Sequence, residues 1–235
     1  MTPSFSYSGT ELDALAAAPN YYRAIIGRFR PYFGRRVLEV GAGIGTFAQH
    51  VLDGGHVDAM VLVEPAANNL PLLRDRFRGD SRIDVRAGYL EELSPVPEVD
   101  SVVAVNVLEH AEDDLGLLRA AHRVLRPGGH VLLFVPALSQ LHGSLDEAFG
   151  HFRRYTKPLV GDRLREAGFD AIRNRYTNFP GVFAWFMAGR VFRRRTLTAR
   201  SVALYDRVVV PLVTAVERWW EPWLGQSIIA IARRP

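Results

Sequence analysis

Two groups of residues in this chain are suited to handling a bound molecule. The first is the segment 37–45, VLEVGAGIG. Gly41, Gly43 and Gly45 allow a tight turn and let a ligand approach the backbone closely. A helix opening after them would aim its unpaired N–H groups at that ligand. Glu39, two residues ahead of Gly41, can receive an ammonium group. Glu64 ends the next apolar run, 19 residues after Gly45, where a carboxylate can accept both hydroxyls of a ribose. A dinucleotide loop of the form G-x-G-x-x-G would need glycine at 46, and Thr46 stands there. A pyrophosphate also has no use for the anion at Glu39. The combination suits a ligand that carries both an ammonium group and a ribose.

The second group offers proton transfer and substrate contact. Glu109-His110 follows the fourth apolar run, and His142, Asp146, Glu147 and His151 lie in the segment 141–156, LHGSLDEAFGHFRRYT. His151, His110 and Tyr155 are the candidates for a catalytic acid or base. His142, Arg154 and Tyr155 are the candidates for substrate binding. Arg153 and Arg154 cannot point the same way on a regular element, so one can grip an anionic group bidentately while the other pairs with an acid or stays solvated. The spacing of His142, Asp146 and His151 fits no metal motif, and no metal is expected.

The elements that must hold these residues follow from the apolar pattern. Runs at 37–40, 57–63, 83–87, 101–107 and 130–135 are rich in Val, Leu and Ile and nearly continuous, as strands buried on both faces are. Helical stretches alternate with them near 45–52, 67–77, 113–125 and 157–167, with another at 21–32 before the first strand. This alternation predicts a parallel α/β sheet. The sequence RPGG at 126–129 reads as a helix stop and a turn into the fifth strand. A long loop or a loop-helix excursion is expected over 136–156, a strand at 171–177, apolar helices carrying arginines over 179–224, and a last strand at 228–232. One domain over 1–235 is expected, with 179–224 as a helical insertion that covers one end of the sheet.

Taken in order and spacing, VLEVGAGIG, VEP at 63–65, VVAVNVLEH at 102–110 and RVLRPGGHVLLFVPA at 123–137 resemble the class I S-adenosylmethionine (SAM)-dependent methyltransferases over residues 20–178. The resemblance implies a Rossmann-like, seven-stranded, mostly parallel sheet with helices on both faces, its last strand antiparallel and SAM lying across the C-terminal strand ends. Glu39, Gly41, Gly43 and Gly45 match the family's cofactor loop, Glu64 its ribose-binding acid, and Asn106 the residue beside the methionine part. Asn20 and Tyr21 sit where the preceding helix often touches the cofactor. Tyr89 and Leu90 match the segment beside the adenine, where the family usually has Asp or Glu at the position of Tyr89. A phenol accepts the adenine amino group less well, so either Tyr89 stacks on the base or Glu91 supplies the carboxylate. The segment 141–156 further resembles a bacterial subgroup sometimes joined to family 2 glycosyltransferases.

The implied activity is methyl transfer to a small-molecule, lipid-linked or glycan-linked acceptor, with oxygen the expected site. An NAD-dependent oxidoreductase and a methyltransferase-like binding protein stay open as alternatives. Displacement at a sulfonium needs alignment above all; a base is needed only when the acceptor must lose a proton.

Composition limits the partners. The 235 residues carry a net charge of +4, with 13 Arg against 19 Asp and Glu over 1–150, and 16 Lys and Arg against 6 Asp and Glu over 151–235. The basic second part can face an anionic substrate, a phospholipid surface or solvent. There is no cysteine, which suits a reducing cytoplasm, and residues 1–13 lack the basic and apolar regions of a secretory leader. No nucleic-acid motif is visible. The segment 183–223 interleaves Trp, Phe and Arg, a pattern that fits peripheral membrane contact, a substrate lid or a packed helical cap.

Overall fold

The apolar runs form the centre of one seven-stranded sheet in the computed structural model, which describes residues 5–235 apart from Ser8, Thr10 and His56. The first thirteen residues, read above as no leader, lie partly outside the described residues. The strands are β1 (Arg36–Val40), β2 (Ala59–Glu64), β3 (Ile83–Ala87), β4 (Val99–Val105), β5 (Leu125–Pro136), β6 (Asp170–Thr177) and β7 (Ser227–Arg233). Their order is β3-β2-β1-β4-β5-β7-β6. All pairings are parallel except those of β7, which runs antiparallel to β5 and to β6. The Rossmann-like fold class expected from the sequence is therefore the one observed. The order reverses between β1 and β4, and such a switch point opens a crevice at the C-terminal strand ends.

Helices α1 (Glu11–Ala16), α2 (Pro19–Phe29), α3 (Thr46–Asp53), α4 (Leu70–Arg76), α5 (Asp114–Val124), α6 (Ser144–Phe149) and α7 (Lys157–Glu166) accompany the sheet. Two apolar clusters form the core. One includes Leu38, Val102, Leu133 and Tyr155, the other Phe29, Phe47, Leu62 and Leu132. Successive strand residues alternate between them, so both faces of the sheet are buried.

Several boundaries differ from the sequence reading for local reasons. The fourth strand stops at Val105 instead of 107 because Asn106 takes a positive φ of 52°, which leaves the extended region. Helix α2 gives way to a tight turn at Arg30–Tyr32, where Pro31 cannot donate to a continuing helix. RPGG is no free turn: the fifth strand already starts at Leu125, and the Gly128 N–H donates to the Arg234 carbonyl at 2.8 Å. Over 136–156 the loop-helix alternative is the one observed, with α6 inside it.

Between β6 and β7 the chain forms α8 (Phe179–Trp185), a wide π turn (Phe186–Val191) and α9 (Ala199–Val216). Thr177 and Ser227 are register partners at the ends of those strands. Two buried acids fasten this insertion. Asp206 on α9 accepts the backbone N–H groups of Asn20 (3.1 Å) and Tyr21 (2.7 Å) at the start of α2, supplying from a distant segment the acceptors that a helix N-terminus lacks. Glu217 accepts from Arg28 (2.7 Å) and from the Asn178 N–H (2.7 Å).

Candidate functional site

A cavity of about 950 Å³ lies over the C-terminal ends of β1, β2 and β4. The glycine loop forms its floor. Gly41, Gly43 and Gly45 all have positive φ, of 65°, 56° and 82°, a region that costs other residues. A Cβ on Gly41 would also fall 2.7 Å from Val107, and one on Gly45 2.6 Å from Phe77. Glycine is thus required here by backbone conformation and by space together.

Glu64 ties the loop to the sheet. Its carboxylate accepts the N–H groups of Gly43 (2.7 Å) and Ala66 (2.8 Å) and the Asn69 amide (3.3 Å). A carboxylate has about four acceptor positions, so roughly one stays for a ligand hydroxyl, fewer than the two ribose contacts expected. Glu39 is buried in the cavity wall, and among the described residues its Oε2 has no hydrogen-bond partner. Burial, and then the Glu64 charge, push its carboxyl well above the usual range. A cation placed here would reverse that penalty. The burial of Glu39 and its unsatisfied oxygen fit an ammonium group. Thr46, read from sequence only as a missing glycine, also turns a buried and unpartnered hydroxyl toward this cavity. A residue type at a helix start carries no sign of that orientation.

Tyr89 is 44% exposed at the rim, with its ring 6.4 Å from Phe5, while Leu90 is buried; both line the cavity, as does Glu91. Asn106 donates from its amide to the Tyr21 hydroxyl at 2.8 Å. The free acceptor on Glu39, the remaining acceptor position on Glu64 and the close backbone approach at the glycine loop fit SAM.

Opposite the loop lies the proton-handling cluster. His151 Nδ1 donates to Asp146 Oδ1 at 2.8 Å, which leaves Nε2 as the free ring nitrogen of a residue that lines the cavity. Asp146 also accepts from Arg154 (2.9 Å), the Trp185 indole (3.1 Å) and the Gly143 N–H (3.1 Å). Burial alone would raise its carboxyl, but the His151 hydrogen bond, the Arg154 charge and the indole hold it down at about 2. Asp146 is therefore ionised and fixes the His151 tautomer. The His110 ring packs edge-on to His151 at 4.8 Å and meets Tyr7 at 5.7 Å. Burial and the neighbouring His151 push it down to about 3, so it is neutral. Glu109, His110 and His151 each bring a donor atom within 4.8 Å of the others, a spacing that a cation could bridge. It is not the His142–Asp146–His151 set weighed above, because Asp146 is taken up by its four partners.

The remaining sequence candidates sit elsewhere. Arg154 is buried beneath the cavity and donates to Ala137 O (2.7 Å), Gln226 O (3.1 Å) and Asp146. Tyr155 is wholly buried, its hydroxyl donating to Asp114 at 3.0 Å. Neither lines the cavity, and both serve as struts. Their sequence neighbour Arg153 pairs with Asp114 at 2.9 Å, so the adjacent arginines are pinned to different acids. His142 bonds the His151 carbonyl (3.3 Å) and does not line the cavity. What the sequence reading missed comes from segments far away in the chain: Phe5 and Tyr7 near the N-terminus, and Trp185, Leu197 and Tyr205 from the insertion, all line the cavity.

A family model described as "Methyltransferase domain" matches residues 15–174. Among curated relatives, a ubiquinone biosynthesis O-methyltransferase of Ruegeria pomeroyi is 35% identical over 106 residues, covering 44% of this chain and 42% of the relative. The enzyme of that name from Marinobacter nauticus is 27% identical over 158 residues, covering 58% and 64%. The chain thus spans less than two thirds of either relative. Among solved structures, phosphoethanolamine N-methyltransferase 2 of Haemonchus contortus in complex with SAM superposes with a TM-score of 0.63 at 20% identity, over 92% of this chain and 52% of that one.

Proposed function

The chain belongs to the methyltransferase-domain family, and from that premise we propose that it transfers a methyl group from SAM to a hydroxyl oxygen of a small or lipid-linked acceptor in the cytoplasm. The observation that carries the choice of oxygen is the Asp146–His151 dyad, which opens into the same cavity as the glycine loop. A hydroxyl must lose its proton as it attacks, and His151 is a base poised for that. Similarity to O-methyltransferases supports the same choice. The oxidoreductase alternative is displaced by the family membership.

SAM, when bound, supplies a sulfonium methyl already activated for displacement. The chain's own residues do the rest. Glu39 holds the ammonium, Glu64 a ribose hydroxyl, and the glycine loop takes the close approach of the backbone. Asn106 borders the methionine part, Tyr89 and Leu90 the base. An acceptor hydroxyl in this cavity would give up its proton to His151 Nε2, the imidazolium being stabilised by ionised Asp146. Neutral His110 orients the acceptor from the side. Leu145, Phe149, Phe152 and Trp185 give this end of the cavity apolar walls, which suit an apolar or lipid-linked acceptor and exclude water.

The test is a panel of phenolic, aliphatic-hydroxyl and glycan-linked acceptors assayed for S-adenosylhomocysteine release, with His151→Ala beside the parent. General-base loss should lower turnover about 10²–10⁴-fold with SAM affinity unchanged. Unaltered turnover in the variant would remove His151 from the chemistry. SAM binding with no turnover on any acceptor would favour the binding-protein reading.

A further inference from the structure

The insertion has two faces, and among the described residues only one has a partner within the chain. Along α9, Asp206 and Val210 are buried against the body, with Tyr205 and Val213 half-buried beside them. The opposite side carries Leu204, Val208, Leu212 and Val216, each at least half exposed. Their spacing of four places them in one stripe, about 18 Å long at the helical rise. A helix with an apolar stripe on the side away from the body has a second apolar surface to cover. Beyond its end stand Trp219 at 93% exposure and Trp223 at 73%. Phe179 lies 6.3 Å from Trp220 and from Trp223 and 5.4 Å from Phe183, so the aromatic surface continues onto α8 and then to Phe192, 63% exposed. An apolar patch of this extent on a described surface marks a contact site.

Charge identifies the occupant. The insertion holds seven arginines, at 190, 193, 194, 195, 200, 207 and 218, all exposed. It holds three acids, of which Asp206 and Glu217 are buried and spent on α2, Arg28 and Asn178. Glu221 alone remains at its surface. Apolar and indole side chains interleaved with exposed arginines, none ion-paired with an acid among the described residues, match an anionic bilayer, where aromatic rings sit at headgroup level and guanidinium groups meet phosphate. None of the described helices is long and apolar enough to cross a membrane, so the contact lies in the interface plane. Inside, Ala188, Leu197 and Val202 of the same insertion line the cavity.

We infer that the outer face of residues 179–223 docks on an anionic phospholipid surface, with the cap as the route by which an apolar tail reaches the cavity. The route rests on the proposed lipid-linked acceptor; the docking does not, and it is tested without donor or acceptor. The full chain is sedimented with vesicles of phosphatidylcholine alone and of phosphatidylcholine mixed with phosphatidylglycerol, at low and high salt. Binding is expected to the mixed vesicles, falling with salt, with a blue shift of tryptophan emission. An arginine near such a surface is worth about fivefold in binding, so R195Q/R200Q/R207Q should bind about 100-fold more weakly. W219S/W223S should lose the blue shift and most of the binding at every vesicle composition. All five side chains point to solvent, so both variants should keep the parent melting temperature. Absent binding to mixed vesicles at low salt would overturn the inference, as would binding that neither variant weakens. So would a dimer in light scattering, abolished by W219S/W223S, in a chain that ignores vesicles; the face would then belong to a second copy.

Discussion

Replacing Asp146 by Asn separates what that residue does for the fold from what it does for the chemistry. Arg154 and Asp146 are both fully buried and 2.9 Å apart, so solvent does not screen the pair. Removing one partner of a buried pair costs about 3–5 kcal/mol because the other charge is stranded. Arg154 keeps two carbonyl acceptors, Ala137 and Gln226, which argues for the lower end, about 3 kcal/mol. In a chain of this size that is a fall of about 6–12 °C in melting temperature. Turnover should fall about 10²–10⁴-fold as His151 loses its ionised partner. The double variant D146N/R154M removes the stranded charge as well. It should recover at least half of the lost melting temperature and none of the lost turnover. Thermal unfolding and S-adenosylhomocysteine release read the two effects separately. The reasoning is refuted if D146N melts with the parent, or if the double variant melts lower than D146N. Parental turnover in D146N would dismiss the dyad.

Glu39→Gln should weaken SAM binding about 10–100-fold in titration calorimetry, the worth of one charge-assisted contact. The unliganded variant should melt at or above the parent, because burial beside Glu64 already disfavours the Glu39 charge; a lower melting temperature would contradict this. His110 sets a pH window. Its imidazole titrates at about 3 in the fold against 6.5 in the unfolded chain, so below pH 6.5 protons favour the unfolded state. The stability it gives is complete above 6.5 and declines toward pH 3, by at most about 1.4 kcal/mol per unit. Melting curves of His110→Gln should lack that share of the decline; identical pH slopes would count against a buried neutral imidazole.

The sheet and the glycine loop were legible in the sequence because both are local. Buried parallel strands announce themselves as unbroken apolar runs, and the loop's glycines sit beside the strand that aims them. The opposite end of the cavity was half legible. His110 and His151 reach the cavity, but Arg154 and Tyr155, the next residues of the same motif, turn inward to Asp146 and Asp114. Residue type alone cannot tell a strut from a substrate contact, since an arginine paired with a buried acid and one awaiting an anion have the same letter. Trp185 and Asp206 escaped for a different reason. Their partners lie 39 and 185 residues away, and only the return of the chain over the sheet brings them together.

That return has an evolutionary side. Thr177 and Ser227 are paired across adjacent antiparallel strands, so the chain leaves the sheet and re-enters it within one strand spacing, about 5 Å. A hairpin turn could close the same gap. The residues between are therefore free of the sheet's register, and their sequence is constrained by side-chain ties instead: Asp206 to the start of α2, Glu217 to Arg28 and Trp185 to Asp146. Selection can rewrite the rest of that wall of the cavity without altering the register of a single strand.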